Sequence, residues 1–150
     1  MKFSCRSTIV RAVGFAVVLM GGLTLSGFGP ATQAQAASCW VHNGSMMRLE
    51  DSGNDRWLYY ANPKSSLRPS GVRPGTLLFN GRKNGDWYSG TARRFSKYCV
   101  GTPLEYYVEG PVLQNPLRIV LRGTRNVYRQ CRDTGNVASD TLVFTFSHRC

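Results

Sequence analysis

Acidic residues are scarce in this sequence, with 8 Asp and Glu against 19 Lys and Arg and a formal net charge of +11 at pH 7. Charged residues make up only 18% of the chain, which also carries 7 Phe, 3 Trp and 7 Tyr. This composition is too apolar and too aromatic for a disordered acidic or basic tail. We therefore expect the 150 residues to form one small globular domain together with any targeting segment.

Residues suited to catalysis are also few. The chain has two histidines, His42 and His148, and it contains neither a G-x-S-x-G motif nor a cluster of His and Asp at metal-ligand spacing. His42 and Ser45 can be joined to an acid as a triad, but nothing in their spacing selects that arrangement. Glu105 and Glu109 would share a strand face about 13–14 Å apart, beyond the ~5–9.5 Å of paired glycosidase carboxylates, and are more simply partners for nearby arginines. We expect no enzyme activity, no metal and no cofactor.

An unbroken apolar run of the ~20 residues that a membrane-spanning helix needs is missing. The amino-terminal segment instead has three basic residues, an apolar run over residues 12–20 and the small-residue stretch Ala34-Gln35-Ala36-Ala37. Four glycines and a proline between residues 21 and 30 interrupt the apolar character, which disfavours the alternative of a retained membrane anchor. The pattern predicts a signal peptide over 1–36, an exported domain over 37–150, and a periplasmic or extracellular location.

Arginine dominates the charge of the predicted exported domain. Its 114 residues hold 16 cations, of which 13 are Arg, and 8 acids, for a net charge of +8. Arginine suits planar, bidentate recognition of phosphate, sulfate or carboxylate. The alternative is a basic surface that only keeps the protein soluble.

Four cysteines remain after the leader: Cys39, Cys99, Cys131 and Cys150. An even number in an exported protein indicates two disulfides, and three connectivities are possible. Their spacings contain no C-x-x-C unit, which argues against a zinc site.

No helical stripe of useful length follows residue 37, and short runs bounded by Gly, Pro and Asn predict an all-β domain. About eight short antiparallel strands would form a sandwich or a barrel, and we favour a small barrel stapled by the two disulfides. Barrel closure would place the first strand beside the last, so Cys39–Cys150 and Cys99–Cys131 are the preferred pairs. The adjacent tyrosines at 59–60 and 106–107 would point to opposite faces. The candidate strands are Trp40–Val41, Met46–Glu50, Arg56–Tyr60, Thr76–Phe79, Trp87–Phe95, Leu104–Glu109, Leu117–Arg122, Asn126–Gln130 and Thr141–Phe146.

Turn signals organise the middle of the chain. Arg73-Pro74-Gly75-Thr76 fits a type II turn. Asn80-Gly81 and Asn84-Gly85 predict a hairpin that joins Leu77–Phe79 to Trp87–Gly90. The proline-containing segment Asn62–Pro74 is expected to be the longest structureless stretch and the best candidate for a mobile or functional loop.

A cluster of arginines surrounds Gly123-Thr124, which suits a two-residue type II′ hairpin turn. In that register Arg122 would face Arg125, and Arg118 would face Arg129, all on one sheet face. Like charges directly opposite are destabilising, so the quartet would call for a compensating anion. We therefore predict an anion-binding site at these four arginines, with ordinary solvated arginines as the alternative.

Several short motifs carry a resemblance. Gly75-Thr76-Leu77-Leu78-Phe79-x-Gly81, Tyr88-x-Gly90-Thr91-Ala92-x-x-Phe95-x-x-x-Cys99, His42-Asn43-Gly44-Ser45 and Asp140-Thr141-Leu142-Val143-Phe144 resemble a group of small exported bacterial proteins of unknown function. The resemblance covers roughly residues 40–150. It implies a β fold and export to a bacterial periplasm or exterior, and it carries over no site.

Two functions are open at this point. The first is a binding protein of the bacterial envelope that holds an anionic partner, such as an acidic glycan, a phosphorylated glycolipid or an acidic protein face, through the arginines. The second is an inhibitor-like or accessory protein that docks another exported protein through the 62–74 loop. Export makes nucleic acid an unexpected partner, and the oligomeric state is not determined by the sequence.

Overall fold

The computed structural model describes residues 37–150, so the predicted signal peptide lies outside the described residues. Within this part the chain forms eight β-strands and one short 3₁₀ helix, Ser65–Ser70. No helix of residues 37–150 is long and apolar enough to cross a membrane. The strands are β1 (Ser38–His42), β2 (Ser45–Ser52), β3 (Asp55–Asn62), β4 (Leu77–Asn84), β5 (Trp87–Arg94), β6 (Leu104–Gln114), β7 (Leu117–Arg129) and β8 (Arg132–Arg149).

The eight strands form one closed antiparallel barrel in which each strand pairs with the next along the chain. β1 closes the barrel against β8, with Trp40 opposite Phe146 and Val41 opposite Thr145. Closure pairs both outermost strands and so removes the free sheet edges of an open sheet. The predicted all-β class is confirmed, and the preferred barrel is the architecture found.

Both preferred disulfides are present. Cys39–Cys150 lies at the seam between β1 and β8 and joins residues 111 positions apart. Cys99–Cys131 links the segment between β5 and β6 to the turn between β7 and β8. Two disulfides are compatible with an oxidising, exported location.

The barrel interior is filled by side chains that alternate along each strand. Leu142, Phe144 and Phe146 pack into the core from β8. Gly110 on β6 lies against β7, where a Cβ would collide with the carbonyl oxygen of Val120, so glycine allows the close approach of these two strands. The largest fully buried side chains are Phe79, Phe144, Met47, Leu58, Ile119, Leu121, Val72 and Val108.

The hairpin turn predicted at Gly123-Thr124 is wrong. β7 continues through both residues, with Gly123 opposite Asp140 on β8, so the two strands predicted on either side are one strand. The chain turns instead at Gln130 and Cys131, whose φ angles are 47° and 65°. Neither residue is glycine, and the disulfide from Cys131 to Cys99 anchors this turn.

The segment Asn62–Pro74 is not structureless, which corrects the prediction. It contains the 3₁₀ helix, Val72 is fully buried, and Leu67 packs against the core. The two apolar side chains fix the segment to the barrel. The type II turn that follows is confirmed by a φ of 86° at Gly75 and by a hydrogen bond from the Thr76 amide to the Arg73 carbonyl, 3.0 Å long.

The predicted hairpin between β4 and β5 is confirmed, but only one of its two turn signals is used. Asn84 lies opposite Trp87, so the turn residues are Gly85 and Asp86. Asn80-Gly81 lies inside β4, opposite Gly90 and Thr91 of β5.

Candidate functional site

The four arginines of the predicted anion site lie in different places. Arg118 and Arg122 are on the outer face of β7, because the residues alternating with them, Ile119 and Leu121, are fully buried. Arg125 is an odd number of positions from Arg122 and therefore points to the other face of the strand. Arg129 ends β7 and lies opposite Arg132 of β8. The predicted facing pairs are wrong because all four arginines belong to one strand, and anion binding by them stays a prediction.

The outer surface around Arg118 and Arg122 combines apolar and polar side chains. In one row across the strands, Arg118 lies between Leu113 of β6 and Thr145 of β8, and Thr145 lies opposite Val41 of β1. In the next row Val120 lies opposite Val143. Together with Arg122, which lies opposite Thr141 of β8, these side chains form three neighbouring rows across β1, β8, β7 and β6. We call this surface the β7 wall and define it as Val41, Leu113, Arg118, Val120, Arg122 and Val143.

Three of the four apolar side chains of the β7 wall are exposed, while Val120 is buried. Val41, Val143 and Leu113 are 37–42% exposed, and Trp87, opposite Pro111 at the border of the wall, is 46% exposed. Large side chains exposed side by side, rather than singly, mark interaction surfaces. The arrangement therefore has the composition of a docking face.

Arg118 is the unusual residue of the wall. Its Nε is buried and has no hydrogen-bond partner among residues 37–150. Leu113 and Thr145 lie directly across from it on the two neighbouring strands. Leaving a buried donor unpaired costs about 1–3 kcal/mol, and more when the group is charged.

The charge of the wall is not balanced by acids of the described chain. Neither Arg118 nor Arg122 forms an ion pair with a residue in 37–150. Glu109 lies opposite Arg122, but its Oε2 accepts hydrogen bonds from the Trp87 Nε1, at 3.4 Å, and the Tyr107 hydroxyl, at 3.1 Å. The wall is thus a partly apolar surface with two guanidinium groups that form no ion pair within residues 37–150.

Arg125 belongs to a second polar group, at the barrel end where β1 turns into β2. Its Nε donates to Asp140 Oδ2 at 3.0 Å, and the Tyr106 hydroxyl donates to the same oxygen at 3.0 Å. Arg94 lies 3.7 Å from that oxygen. Burial alone would raise the pKa of Asp140, but the hydrogen bonds from Tyr106 and Arg125 outweigh it and hold the pKa below its usual value. Burial and the neighbouring carboxylate raise the pKa of Tyr106.

His42 and Ser45 face each other across the β1–β2 turn but do not form the triad geometry. The His42 Nδ1 lies 2.8 Å from the Val143 carbonyl oxygen and donates to it, while the Asn43 amide lies 3.2 Å from Nε2. The Ser45 hydroxyl accepts a hydrogen bond from the Lys64 amide. Burial, assisted by the charge of Lys64, lowers the pKa of His42. Both ring nitrogens are occupied, so His42 is not placed to activate Ser45.

Other predicted features are found where the alternation places them. Tyr60 and Tyr106 are buried while Tyr107 is 60% exposed, so the adjacent tyrosines do point to opposite faces. Glu105 pairs with Arg93 at 2.8 Å, as expected for an acid near arginines. Within residues 37–150 no group of three or more His, Cys, Asp or Glu is arranged to hold a metal ion.

Comparison with known proteins gives no relatives. No protein-family model matches the chain, and neither the curated proteins nor the solved structures contain a match. The resemblance to small exported bacterial proteins stays a prediction, and the function is argued from geometry.

Sequence reasoning missed most of the β7 wall. The alternation over residues 141–146 sets Val143 on the face opposite Leu142, Phe144 and Phe146, and an apolar residue on that otherwise polar face was the available signal. The grouping with Val41 and Leu113 required the register of three strands. Asp140 was also missed, because a single acid before a strand has no distinctive pattern.

Proposed function

We propose that this protein is an exported, non-enzymatic binding protein that holds an acidic face of another protein on the β7 wall. Export is supported by the amino-terminal pattern and by two disulfides that are compatible with an oxidising compartment. The observation that carries the proposal is the buried, unpartnered Nε of Arg118 on an outer face where Val41, Leu113 and Val143 are exposed.

The guanidinium of Arg118 indicates the charge of the partner. A solvated surface arginine keeps its N–H groups in water, whereas this one has a donor removed from water without compensation. A carboxylate arriving at the wall would reach the guanidinium of Arg118 or of Arg122. Charge-assisted hydrogen bonds of this kind contribute about 1.5–3 kcal/mol each.

The apolar rows indicate the class of partner. Val41, Leu113 and Val143 flank the arginines and offer no hydrogen-bonding groups from their side chains. An acidic glycan would bring hydroxyl groups onto this surface and leave them unpaired, which costs free energy. An acidic protein face carries apolar side chains between its carboxylates, and central arginines with an apolar surround are common in protein interfaces.

Docking through the 62–74 segment is less well supported. Leu67 and Val72 of this segment face the barrel, so its apolar side chains are already used. The guanidinium of Arg73 is bonded to the backbone carbonyls of Arg68 and Val72. The segment therefore presents fewer free groups than the β7 wall.

The proposal is tested with a synthetic peptide of alternating Glu and Leu as the probe and the oxidised protein, with both disulfides formed. The double variant Arg118→Gln, Arg122→Gln should weaken peptide binding by about tenfold or more, because one charge-assisted hydrogen bond corresponds to at least that factor. The matched control is Arg129→Gln, Arg132→Gln, which removes the same charge at the distant hairpin tip and should change the affinity by less than about threefold.

Other probes distinguish the alternatives. Dextran sulfate and vesicles rich in phosphatidylglycerol represent glycan and lipid partners, and polyglutamate represents charge without apolar groups. Equal weakening by both double variants, or stronger wall-dependent binding to dextran sulfate or vesicles than to the peptide, would contradict an acidic protein partner. Binding to the Glu-Leu peptide that exceeds binding to polyglutamate and depends on the wall would support it.

A further inference from the structure

A cavity of about 220 Å³ opens at the barrel end where β1 turns into β2. Its lining contains none of the six residues that define the β7 wall. We call it the mouth cavity. Its lining includes Tyr60, Leu67, Phe95, Leu142, Arg94 and Asp140.

One side of the mouth cavity is apolar. Phe95 packs edge-on against Tyr60, with ring centroids 6.1 Å apart. Leu67 covers this side from the 3₁₀ helix, and Leu142 closes it from β8. The volume is below the ~300–1,000 Å³ of pockets for drug-sized ligands, so it suits a single ring or a short chain.

Tyr60 supplies an unused hydrogen-bonding group. The side chain is 5% exposed, lines the cavity, and its hydroxyl has no hydrogen-bond partner within residues 37–150. Burial raises the pKa of Tyr60 to about 12, so the hydroxyl is protonated at neutral pH and able to donate. Within residues 37–150 the one side-chain atom that is both buried and unpartnered is Arg118 Nε, so the Tyr60 hydroxyl keeps access to the cavity, where a ligand oxygen can accept its hydrogen bond.

The other side of the cavity carries a net positive charge. Arg125 and Arg94 lie near a single carboxylate, that of Asp140, at 3.0 Å and 3.7 Å. Both oxygens of Asp140 already accept hydrogen bonds, from Arg125 and Tyr106 on one and from the Thr141 amide on the other. The side chain of Arg94 is half exposed, and its 3.7 Å ion pair with Asp140 is too long for a hydrogen bond, so its N–H groups can turn to a second anion.

We propose that the mouth cavity binds a small organic anion, an aromatic or short-chain monocarboxylate, with its apolar body against Phe95 and Leu142 and its carboxylate at Arg94. The Tyr60 hydroxyl donates a hydrogen bond to the ligand. This is a function beyond the proposed protein docking, because it uses the inner surface of the barrel and none of the residues of the wall.

The test compares benzoate with benzyl alcohol, which has a similar ring but no charge, by NMR titration of the oxidised protein. We expect saturable shifts of the Tyr60, Phe95 and Leu142 resonances with benzoate, and binding about tenfold weaker or more for benzyl alcohol. Arg94→Gln should weaken benzoate binding by about tenfold and leave benzyl alcohol unchanged. Tyr60→Phe, which keeps the ring, should weaken benzoate binding by about threefold or more.

Two control variants address non-specific effects. Tyr59→Phe removes a hydroxyl from the neighbouring residue on the outer face, and Arg82→Gln removes an exposed charge of β4. Neither should change benzoate binding. The proposal is overturned if benzoate gives no saturable shifts in a protein with unchanged thermal unfolding, or if Arg94→Gln and Tyr60→Phe bind it as the original protein does.

Discussion

Arg125 and Asp140 lie side by side at one end of the barrel, with the Arg125 Nε 3.0 Å from the Asp140 Oδ2, and their side chains are only 16% and 24% exposed. This pairing accounts for one arginine of the predicted quartet, because it directs Arg125 to the inner face of β7. The same carboxylate oxygen also accepts from Tyr106. Asp140 on β8 is thereby linked to both β6 and β7 at the end of the barrel that holds the mouth cavity.

Replacing Asp140 by Asn should destabilise the fold. The change leaves Arg125 without its counter-ion and weakens the hydrogen bond from Tyr106, and hydrogen bonds to charged groups contribute about 1.5–3 kcal/mol. We expect a loss of about 2 kcal/mol in the free energy of unfolding, measured by urea denaturation. The control Asp55→Asn breaks an exposed pair with Arg82 and should cost less than about 0.5 kcal/mol. Equal losses of unfolding free energy in the two variants would show that the contacts of Asp140 with Arg125 and Tyr106 do not stabilise the barrel.

Stability should fall as the pH drops below the ordinary pKa of histidine. Because burial lowers the pKa of His42 in the folded state, the unfolded chain takes up the proton first. The stability that neutral His42 provides is present above about pH 6.5 and is lost as the pH falls from there towards the folded-state pKa. The hydrogen bond to the Val143 carbonyl opposes this lowering of the His42 pKa, Lys64 strengthens it, and Asp140 opposes it.

The residue responsible can be identified with two variants in urea unfolding between about pH 5 and 7.5. His42→Asn keeps a donor for the Val143 carbonyl and should flatten the pH dependence in this range. His148→Asn, at an exposed position of β8, should retain it. If the pH dependence disappears in His148→Asn and persists in His42→Asn, His42 is not the residue responsible.

The two disulfides should stabilise the barrel unequally. In the chain-entropy description, closing a loop of 111 residues contributes about 5 kcal/mol and a loop of 32 residues about 4 kcal/mol. Removing Cys39–Cys150 by paired Ala substitution should therefore lower the melting temperature more than removing Cys99–Cys131. The reverse order in thermal unfolding would mean that anchoring the β7–β8 turn matters more than closing the longer loop.

The sequence predicted the barrel because the fold depends on local signals. The alternation over Thr141–Phe146 and the cysteines at both ends indicated the closing strand and the seam.

The Gly123-Thr124 turn was wrong for a physical reason. A Cβ at Gly123 would collide with the Tyr107 carbonyl oxygen, so the glycine is required by the close approach of β6, while the true turn has two non-glycine residues and a disulfide.

The candidate sites were less predictable because they depend on register. One strand carries Arg118 and Arg125, and a difference of seven positions sends their side chains to opposite faces. Leu113 meets Arg118 only because of the pairing of β6 with β7. Sequence spacing does not contain this information without the correct turn.

The substitution Arg118→Met tests the central claim most directly, because stability and binding should change in opposite directions. Methionine keeps an apolar stem on the wall and removes the buried donor, so the free energy of unfolding should stay the same or rise by about 1 kcal/mol. Binding of the Glu-Leu peptide should fall by about tenfold in the same protein. A variant that is destabilised while its peptide binding is unchanged would contradict the account, since Arg118 would then serve the fold rather than a partner.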